Sequence, residues 1–216
     1  TTEIYTLSLH DALPISYGVM TLPLLTPEEA ALAVKAGKVV AYPTETVYGL
    51  AVAADNEAAI AEPRRVKGLK DTRGISLLVA DNSWIDRYAQ PPGDIVRRLM
   101  ETYWPGPLTI VLDVKPGVFA EGVAAPDGTV GFRLSPNMEA LRFISLVDRP
   151  ITSTSANPSG VPETCDAAEV MRNFAGKIAG LLAGNCGGQK ASTVVRVRGD
   201  MMDVLREGPI PAADIL

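Results

Sequence analysis

Two segments of this chain gather hydroxyl groups around a turn. Ala41-Tyr-Pro-Thr-Glu-Thr-Val-Tyr-Gly49 continues the apolar run Lys38-Val-Val, and Ser153-Thr-Ser-Ala-Asn-Pro-Ser-Gly160 follows Pro150-Ile-Thr. Both apolar runs are too short for helices and end in turn-forming residues, so we predict strands that end at these motifs. Open α/β sheets bind ligands at the carboxyl ends of their strands. The two motifs therefore predict a polar ligand site.

Three cations also lie at the ends of apolar strands or of a helix, namely Lys67, Arg133 and Arg206. Arginine binds a carboxylate or phosphate through two parallel N–H groups, whereas lysine acts as a point charge. One such residue alone is typical of a surface cation, but three beside two hydroxyl-rich turns predict a site for an anionic small molecule. The glycine-rich turn at 187–193 alone favours only a solvated turn, and neither common phosphate-loop motif occurs.

The composition indicates an ordinary globular domain. The 216 residues are 47% hydrophobic and 21% charged, which suits one domain with a core of its own. A net charge of −5 argues against coating nucleic acid through bulk electrostatics, and no apolar run is long enough to span a membrane. Cys165 and Cys186 have no metal-like spacing, so we expect reduced thiols in a cytoplasmic protein.

Residues 1–16 resemble, residue for residue, a conceptual translation of a short-read sequencing adapter. The alternative is a genuine N-terminal arm, although it lacks the positively charged start of a signal peptide. We expect residues 1–19 to be an artefactual or disordered extension and residues 20–216 to form the catalytic domain. His10, the single histidine, lies in this extension. Without it, a Ser-His-Asp triad, a Cys-His pair and a histidine-ligated zinc site are excluded.

The surrounding elements predict an α/β domain. Thr26 is the expected N-cap of a first helix that has Pro27 at its first position and ends near Gly37. Further helices are predicted at 56–67, where Pro63 should kink or shorten the helix, and at 93–103, 137–146 and 166–174. Strands are predicted at 39–43, 75–80, 108–114, 129–134, 151–155, 178–183, 193–197 and 202–206. Helices alternate with strands early and strands crowd together late, which favours a mixed sheet flanked by helices.

Five motifs occur in a fixed order along the chain. They are Pro43-Thr-Glu-Thr-Val-Tyr-Gly-Leu50, Trp104-Pro-Gly-Pro-Leu-Thr109, Thr129-Val-Gly-Phe-Arg133, Ser153-Thr-Ser-Ala-Asn-Pro-Ser-Gly160 and Ser192-Thr-Val-Val195. Together they resemble the successive signatures of the YrdC-domain family of threonylcarbamoyl-AMP synthases. The resemblance extends from residue 39 to about residue 210. It implies a single-domain, twisted mixed β-sheet flanked by helices, with a concave ligand cavity.

The resemblance implies an enzyme, a nucleotidyltransferase. It would condense L-threonine, bicarbonate or CO2, and ATP with Mg²⁺ into threonylcarbamoyl-AMP and release pyrophosphate. Its implied partners are a transferase that passes the threonylcarbamoyl group to an adenosine of tRNA, and the tRNA itself. A carbamate oxygen that attacks the α-phosphorus needs positioned reactants and neutralised charge, and it needs no histidine nucleophile. The residues of the chain suit that reaction.

The resemblance also implies roles for particular residues. The group expected to bind L-threonine is Thr46, Arg133, Ser153 and Ser192, with Arg133 paired to the substrate carboxylate. The group expected to bind ATP is Lys67, Arg73, Thr129, Ser155, Asn157 and Arg206. The implied catalytic residues are Lys67, Arg133, Ser155 and Asn157. Thr44 and Tyr48 would shape the turn or the pocket wall, and no side chain is expected to bind a metal.

The chain departs from the family pattern at Leu69. The family's Lys-x-Arg appears here as Lys67-Gly-Leu69, and leucine cannot bind phosphate. The missing charge-assisted hydrogen bond is worth about 1.5–3 kcal/mol in general terms. Lys70 or Arg73 is close enough in sequence to reach the same phosphate. Pro63 also stands where the family usually has a larger residue that suits a helix.

Two other interpretations of the sequence stay open. One is a non-catalytic or diverged paralogue that binds RNA, tRNA or the ribosome, although the acidic total and only four Phe and two Trp argue against a stacking platform. The other is a related carbamoyl-adenylate domain of a hydrogenase-maturation protein. Such proteins are longer and carry zinc-type cysteine pairs, which this sequence lacks.

Overall fold

The computed structural model describes residues 22–69, 74–188, 190–199 and 201–215. The predicted extension at 1–19 therefore lies outside the described residues. So do Lys70 and Arg73, the two candidates for the phosphate contact that Leu69 does not provide.

The described part of the chain contains seven helices and eleven strands. The helices are α1 (Pro27–Lys35), α2 (Glu62–Lys67), α3 (Ser83–Tyr88), α4 (Asp94–Tyr103), α5 (Met138–Val147), α6 (Ala167–Phe174) and α7 (Ala212–Ile215). The strands are β1 (Leu24–Leu25), β2 (Val40–Tyr42), β3 (Gly49–Ala51), β4 (Leu77–Leu78), β5 (Leu108–Asp113), β6 (Thr129–Arg133), β7 (Ile151–Thr152), β8 (Thr154–Ser155), β9 (Gly180–Leu182), β10 (Thr193–Arg198) and β11 (Met201–Arg206).

The strands form two sheets, each with parallel and antiparallel pairs. One has the order β1-β9-β2-β3-β8, and the other has the order β11-β10-β5-β6-β4-β7. In the first, β9 is parallel to β1 and β2, and β3 is antiparallel to β2 and β8. The α/β class with mixed pairing is thus confirmed, but the strands divide over two sheets instead of the single one expected.

The predicted strand at 151–155 is the place where the chain passes from one sheet to the other. β7 belongs to the six-stranded sheet and β8 to the five-stranded sheet, with only Ser153 between them. The buried hydroxyl of Thr152 donates to the Leu50 carbonyl at 2.7 Å and accepts from the Val52 amide at 3.0 Å, which ties the sheets together. Ser153 therefore lies at the junction of the two sheets.

Helix α1 begins as its sequence predicts. The Thr26 hydroxyl accepts from the Glu29 amide at 3.2 Å, and the Glu29 carboxylate accepts from the Thr26 amide at 2.8 Å. This is a capping box, and Pro27 follows the cap at a position that needs no N–H. An N-cap of this kind stabilises a helix by about 1 kcal/mol. The buried face of α1, with Ala30 and Val34, packs against α5.

Helix α2 is shorter than predicted. Residues 57–61 form turns, and the helix itself spans Glu62–Lys67. Pro63 lies in the first turn, where its missing N–H is not needed, so it begins the helix rather than kinking it. Gly68 adopts φ +72° and ends the helix in the left-handed conformation that glycine permits. This short helix buries Lys67 in its last turn.

Apolar side chains from both sheets and from the helices fill one continuous core. The largest fully buried aromatic residues are Tyr42, Phe132, Phe143 and Phe174. Burial of one such side chain stabilises a fold by about 1.5–3 kcal/mol, which fixes the strands whose ends carry the polar residues. Within the described ranges, no helix has both the length and the apolar character needed to cross a membrane.

Candidate active site

Four strand ends meet at one edge of the six-stranded sheet. β5 runs antiparallel to β6, β10 runs parallel to β5, and β11 runs antiparallel to β10. The start of β5, the end of β6, the start of β10 and the end of β11 therefore lie at the same edge. Thr109, Arg133, Ser192 and Arg206 occupy these positions, although their sequence separations give no hint of contact.

A cavity of about 390 Å³ opens at this edge, within the usual size range of small-molecule sites. Its walls come from both sheets, from α2 and from the loop that follows β8. The predicted site residues that line it are Thr46, Tyr48, Lys67, Arg133, Ser153, Ser155, Asn157, Ser192 and Arg206. The fold thus brings both hydroxyl-rich motifs and all three predicted cations into one cavity.

Arg133 is the buried cation of this cavity, with only 6% of its side chain exposed. One terminal nitrogen, Nη1, donates to the Glu45 carboxylate and to the Thr46 hydroxyl at 2.9 Å. The other, Nη2, lies 3.5 Å from the Ser153 hydroxyl. Glu45 also accepts a hydrogen bond from Ser135. The guanidinium is therefore fixed at the sheet edge, and the group that it already binds is a carboxylate.

The turn after β2 is held by its own hydroxyl groups. Thr44 is buried, donates to the Val47 carbonyl at 2.7 Å and lies 2.8 Å from the Thr46 hydroxyl. Thr44 is not among the cavity-lining residues, whereas Thr46 and Tyr48 are. The Tyr48 hydroxyl donates to the Gly184 carbonyl at 3.3 Å, and burial raises the pKa of this phenol. The turn thus presents Thr46 to the cavity and keeps Thr44 behind it.

The prediction of two reduced thiols is wrong, because Cys165 and Cys186 form a disulfide with their Cα atoms 5.3 Å apart. Their separation of 21 residues carried no signal of this contact. The contact exists because the loop after β9 returns to the segment that precedes α6, and only the tertiary fold reveals that return.

The disulfide joins two segments that each make a hydrogen bond to the Thr44–Tyr48 turn. The Gly187 amide donates to the Thr44 carbonyl at 2.9 Å. The Tyr48 amide donates to the Thr164 carbonyl at 3.1 Å. A Cβ at Gly188 would approach the backbone of the same turn to 2.6 Å, so this close packing requires glycine. The cystine therefore clamps the turn that carries Thr46.

Lys67 lies at the end of α2 and holds the second hydroxyl-rich motif in shape. Its amine donates to the Ser155 carbonyl, and lies 3.2 Å from the Thr154 and Ser155 hydroxyls and 3.3 Å from the Asn157 side-chain oxygen. Four oxygen acceptors surround one ammonium group, which has three N–H donors. The Lys67 charge therefore organises the turn that follows β8.

Arg206 joins two strands at the other wall. Its Nε donates to the Ser192 carbonyl at 3.0 Å, and its Nη2 donates to the Ser192 hydroxyl at 3.3 Å. That hydroxyl is in turn 2.7 Å from the Thr109 hydroxyl. Burial lowers the pKa of Arg206, while the charge of Glu163 opposes this shift. Glu163 lines the cavity and accepts from the Ala191 amide at 3.2 Å.

Among the described residues predicted to bind ATP, Thr129 does not line the cavity. Thr129 begins β6 and Arg133 ends it, and four residues of strand span about 13 Å. The Thr129 hydroxyl instead donates to the Asp127 carboxylate at 2.7 Å. Thr129 therefore lies at the opposite end of β6 from Arg133, and its role in ATP binding stays a prediction. Arg73 lies outside the described residues.

Comparison with known protein families finds a match to this chain. The family model Sua5_yciO_yrdC, described as "Telomere recombination", matches residues 32–208. The chain belongs to the Sua5/YciO/YrdC family. The matched residues contain every side chain of the cavity.

Relatives in this family are similar over most of the chain. The threonylcarbamoyl-AMP synthase of Bacillus subtilis is 35% identical over 188 residues, which are 87% of this chain and 54% of that protein. A putative threonylcarbamoyl-AMP synthase of Methanocaldococcus jannaschii is 33% identical over 176 residues, which are 81% of this chain and 82% of that protein. The chain thus spans about half the length of the first relative and most of the second.

A solved structure of a Sua5/YciO/YrdC-family protein has the same fold. It is P. abyssi Sua5 complexed with L-threonine, with a TM-score of 0.81 and 31% sequence identity. The match covers 89% of this chain and 58% of that protein.

Sequence reasoning missed several polar residues at this family cavity, among them the following four. Arg64, Thr109 and Glu163 line it, and Glu45 binds Arg133 beside it. Glu45 could have been predicted as a site residue, since it is the acidic residue within the hydroxyl-rich motif Pro43-Thr-Glu-Thr. Thr109 stands in a motif that was recognised, but as a signature and not as a site residue. Arg64 and Glu163 had no such signal, because each depends on how α2 or a loop folds against the sheets.

Proposed function

We propose that this chain synthesises L-threonylcarbamoyl-AMP from L-threonine, bicarbonate or CO2, and ATP, and releases pyrophosphate. The observation that carries the proposal is Arg133, a buried guanidinium that already binds a carboxylate and stands between the hydroxyls of Thr46 and Ser153. The similarity to two proteins named as threonylcarbamoyl-AMP synthases, one of them putatively, adds support.

Arg133 and its neighbours would bind the amino acid. The L-threonine carboxylate would pair with the Arg133 guanidinium, whose position Thr46 and Ser153 fix. Ser192, which lies at the same sheet edge and contacts Thr109, would close this end of the cavity. The bound L-threonine in the related P. abyssi structure supports an amino-acid site in this fold.

The turn after β8 and the end of β11 would bind the nucleotide. Lys67 organises the oxygens of Ser155 and Asn157, and Arg206 places a second cation at the opposite wall. Triphosphate carries several negative charges, and cations held in place before the reaction stabilise it without reorganising. These residues would therefore position the α-phosphorus near the amino-acid end.

The reaction needs alignment and charge neutralisation rather than a protein nucleophile. The neutral threonine amine adds to CO2 and loses a proton to water to give a carbamate, and a carbamate oxygen then attacks the α-phosphorus. The bond from that phosphorus to the bridging oxygen of the β-phosphate breaks, and pyrophosphate leaves with the electron pair. Lys67 and Arg206 would hold the developing charge on the phosphates, and Arg133 would fix the attacking molecule.

We propose that Mg²⁺ enters with ATP. Among the described residues, no group of three or more His, Cys, Asp or Glu side chains could hold a metal ion. Glu163 is the one carboxylate among the described side chains that line the cavity. Such a donor set fits an ion that the phosphates and water carry, with at most one contact from the protein. When bound, Mg²⁺ would neutralise part of the phosphate charge.

The proposed product indicates which partners this chain would have and where it would act. A transferase would pass the threonylcarbamoyl group to tRNA, with which this chain would also make contact. We propose the cytoplasm as the location, since ATP and tRNA both occur there. The alternative of a non-catalytic RNA-binding paralogue is less well supported, because the relatives carry the names of synthases.

Pyrophosphate release tests this proposal directly. The protein is incubated with ATP, Mg²⁺, bicarbonate and L-threonine, and we expect release that stops when L-threonine is omitted. An Arg133→Met variant should lose the release and keep binding AMP. Release without L-threonine, or none with all substrates present, would contradict the proposal. Salt-dependent tRNA binding in a protein that does not turn over ATP would favour the RNA-binding alternative.

A further inference from the structure

The cystine of Cys165 and Cys186 stands in a chain that has a large core without it. Disulfides are typical of small secreted domains, which cannot bury enough apolar surface to fold unaided. This chain has 216 residues and one continuous core that both sheets share. In a cytoplasmic protein, a disulfide is usually transient and serves catalysis or redox sensing. The surroundings of the cystine therefore indicate what it controls.

Both sulfur atoms lie against the backbone of one residue of the cavity. The Sγ atom of Cys165 is 3.2 Å from the Thr46 carbonyl oxygen, and the Sγ atom of Cys186 is 3.7 Å from the same oxygen. The Thr46 side chain lines the cavity, and its hydroxyl accepts from Arg133 Nη1 at 2.9 Å. A single residue thus connects the cystine to the buried guanidinium.

The two oxidation states of the pair offer Thr46 different contacts. A sulfur in a disulfide carries no hydrogen, whereas a cysteine thiol is a weak hydrogen-bond donor. Reduction therefore replaces a covalent link between two segments by, at most, weak bonds to the Thr46 carbonyl. Each segment keeps its own main-chain bond to the Thr44–Tyr48 turn, through the Gly187 amide or the Thr164 carbonyl. Without the link the two segments can open separately, so the dithiol form holds the turn less tightly.

A reductant can reach this cystine. Cys165 and Cys186 are both partly exposed, and the neighbouring residues Asp166 and Gly187 are exposed. Thiol–disulfide exchange requires a thiolate to reach one of the two sulfur atoms. The chain has only these two cysteines, so oxidation within one molecule can form this disulfide and no other. The pair is therefore suited to reversible change between two defined states.

We propose that the Cys165–Cys186 pair is a redox switch for the L-threonine end of the cavity, and that the disulfide form binds L-threonine more tightly than the dithiol form. This inference rests on the proposed function, because its ligand is the proposed amino acid. A thiolate of a dithiol reductant attacks one sulfur, the S–S bond breaks, and the second thiol of the reductant resolves the mixed disulfide. The cystine gains two electrons and two protons, and the reductant loses the same and becomes a disulfide.

Thermodynamic linkage gives this switch a second, independent readout. If the disulfide form binds L-threonine more tightly by some factor, saturating L-threonine must protect the disulfide from reduction by the same factor. We expect a factor of about ten, which is a typical coupling between two sites. ATP is the control ligand, because its proposed contacts with Lys67 and Arg206 lie away from the Thr44–Tyr48 turn.

The test compares the two forms of the wild-type chain, with thiol content measured by a thiol-reactive chromophore. In calorimetric titrations we expect L-threonine to bind about tenfold more weakly to the dithiol form, whereas the affinity for ATP with Mg²⁺ should change less than about twofold. In mixtures of reduced and oxidised dithiothreitol, saturating L-threonine should raise the ratio of reduced to oxidised reagent at half-reduction about tenfold.

A variant with Cys165→Ser and Cys186→Ser is the control for effects of the reagent. It should bind L-threonine with the lower affinity of the dithiol form, and the reductant should not change that affinity. Retained ATP binding by the dithiol form shows that reduction leaves the cavity folded.

Equal L-threonine affinity in the two forms, or tighter binding by the dithiol form, would overturn the inference. A parallel loss of L-threonine and ATP affinity would also overturn it, because the cystine would then support the whole fold. The proposed function fails separately: a chain that shows the coupling but releases no pyrophosphate keeps the switch and loses the reaction. Release with the same L-threonine dependence in both forms keeps the reaction and loses the switch, and no L-threonine binding in either form would overturn both.

Discussion

The proposed amino-acid end and the proposed phosphate end of the cavity differ in burial and in the origin of their contacts. At the first, the Arg133 side chain is 6% exposed and pairs with Glu45, which is 17% exposed, between two sheets. At the second, Arg64 is partly exposed on a helix of only six residues, and Leu69 beside it offers no charge.

This difference in burial indicates which end of the cavity tolerates substitution of its residues. Removing one partner from a buried ion pair leaves an uncompensated charge, so the Arg133 end tolerates little change. A cation at a solvent-exposed rim can be replaced by one at a neighbouring position, because water already screens the interaction between that cation and a ligand. Leu69 lies at such a rim, whereas the Arg133 guanidinium is held by the side chains of Glu45, Thr46 and Ser153.

The largest effect is expected for Arg133→Met. It leaves the Glu45 carboxylate buried without its cation, so we expect the free energy of unfolding to fall by about 3–5 kcal/mol. L-threonine binding should become undetectable by calorimetry. Arg149→Met is the control, because Arg149 pairs with Asp55 at 2.6 Å but is 49% exposed, and it should cost at most about 1 kcal/mol. Equal losses in denaturant titrations of the two variants would break the comparison.

Opening the disulfide should come next. Replacing Cys165 and Cys186 by serine should lower the free energy of unfolding by about 3 kcal/mol, since the cross-link closes a loop of 21 residues in the unfolded chain. L-threonine affinity should fall more than ATP affinity, because the cystine clamps the turn that carries Thr46. Thermal melting with and without reductant, together with titration of each substrate, measures both effects. An equal loss of both affinities would mean that the clamp does not act on the amino-acid end.

Lys67→Met should lower threonine-dependent pyrophosphate release about 30-fold or more, because a hydrogen bond to a charged group is worth about 1.5–3 kcal/mol. The turn at 154–157 loses its central donor, so Lys67→Arg should not restore the rate: a planar guanidinium cannot occupy the place of a compact ammonium. Lys177→Met serves as the control, because the Lys177 amine donates to the Asn173 carbonyl of α6, away from the cavity. Full rescue by Lys67→Arg would show that charge alone matters at the phosphate end.

Leu69→Arg should have the smallest effect and the opposite sign. We expect ATP affinity to rise by up to about tenfold, since one charge-assisted contact is added at a solvent-accessible rim. L-threonine affinity should stay the same, because Arg133 is at the other end. Titration with each substrate separates the two. A rise in both affinities would show that the ends are coupled and not independent.

The sequence predicted the residues whose chemistry is local and missed those that depend on tertiary contacts. Ser153, Arg133 and Arg206 each follow or end an apolar strand, and that pattern survives in the fold. The cystine depends on contacts between segments that are distant in sequence, and so does the division of 151–155 into strands of two sheets. The local spacing of apolar residues does not predict such contacts. Thr129 stays a prediction: it begins the strand that Arg133 ends, and a motif that contains both ends of a strand does not say which end faces the ligand.

The arrangement of strands also sets when the cavity exists during synthesis. Thr46 comes from an early turn, whereas Ser192 and Arg206 come from the β10–β11 hairpin, which pairs with β5 through β10. A nascent chain that has emerged through β9 can form the five-stranded sheet, but it lacks one wall of the cavity. Because domains complete their folding as their last segments leave the ribosome, the site gains its second wall only then. An incomplete chain therefore lacks the wall that Ser192 and Arg206 form, and the proposed activity would require the β10–β11 hairpin.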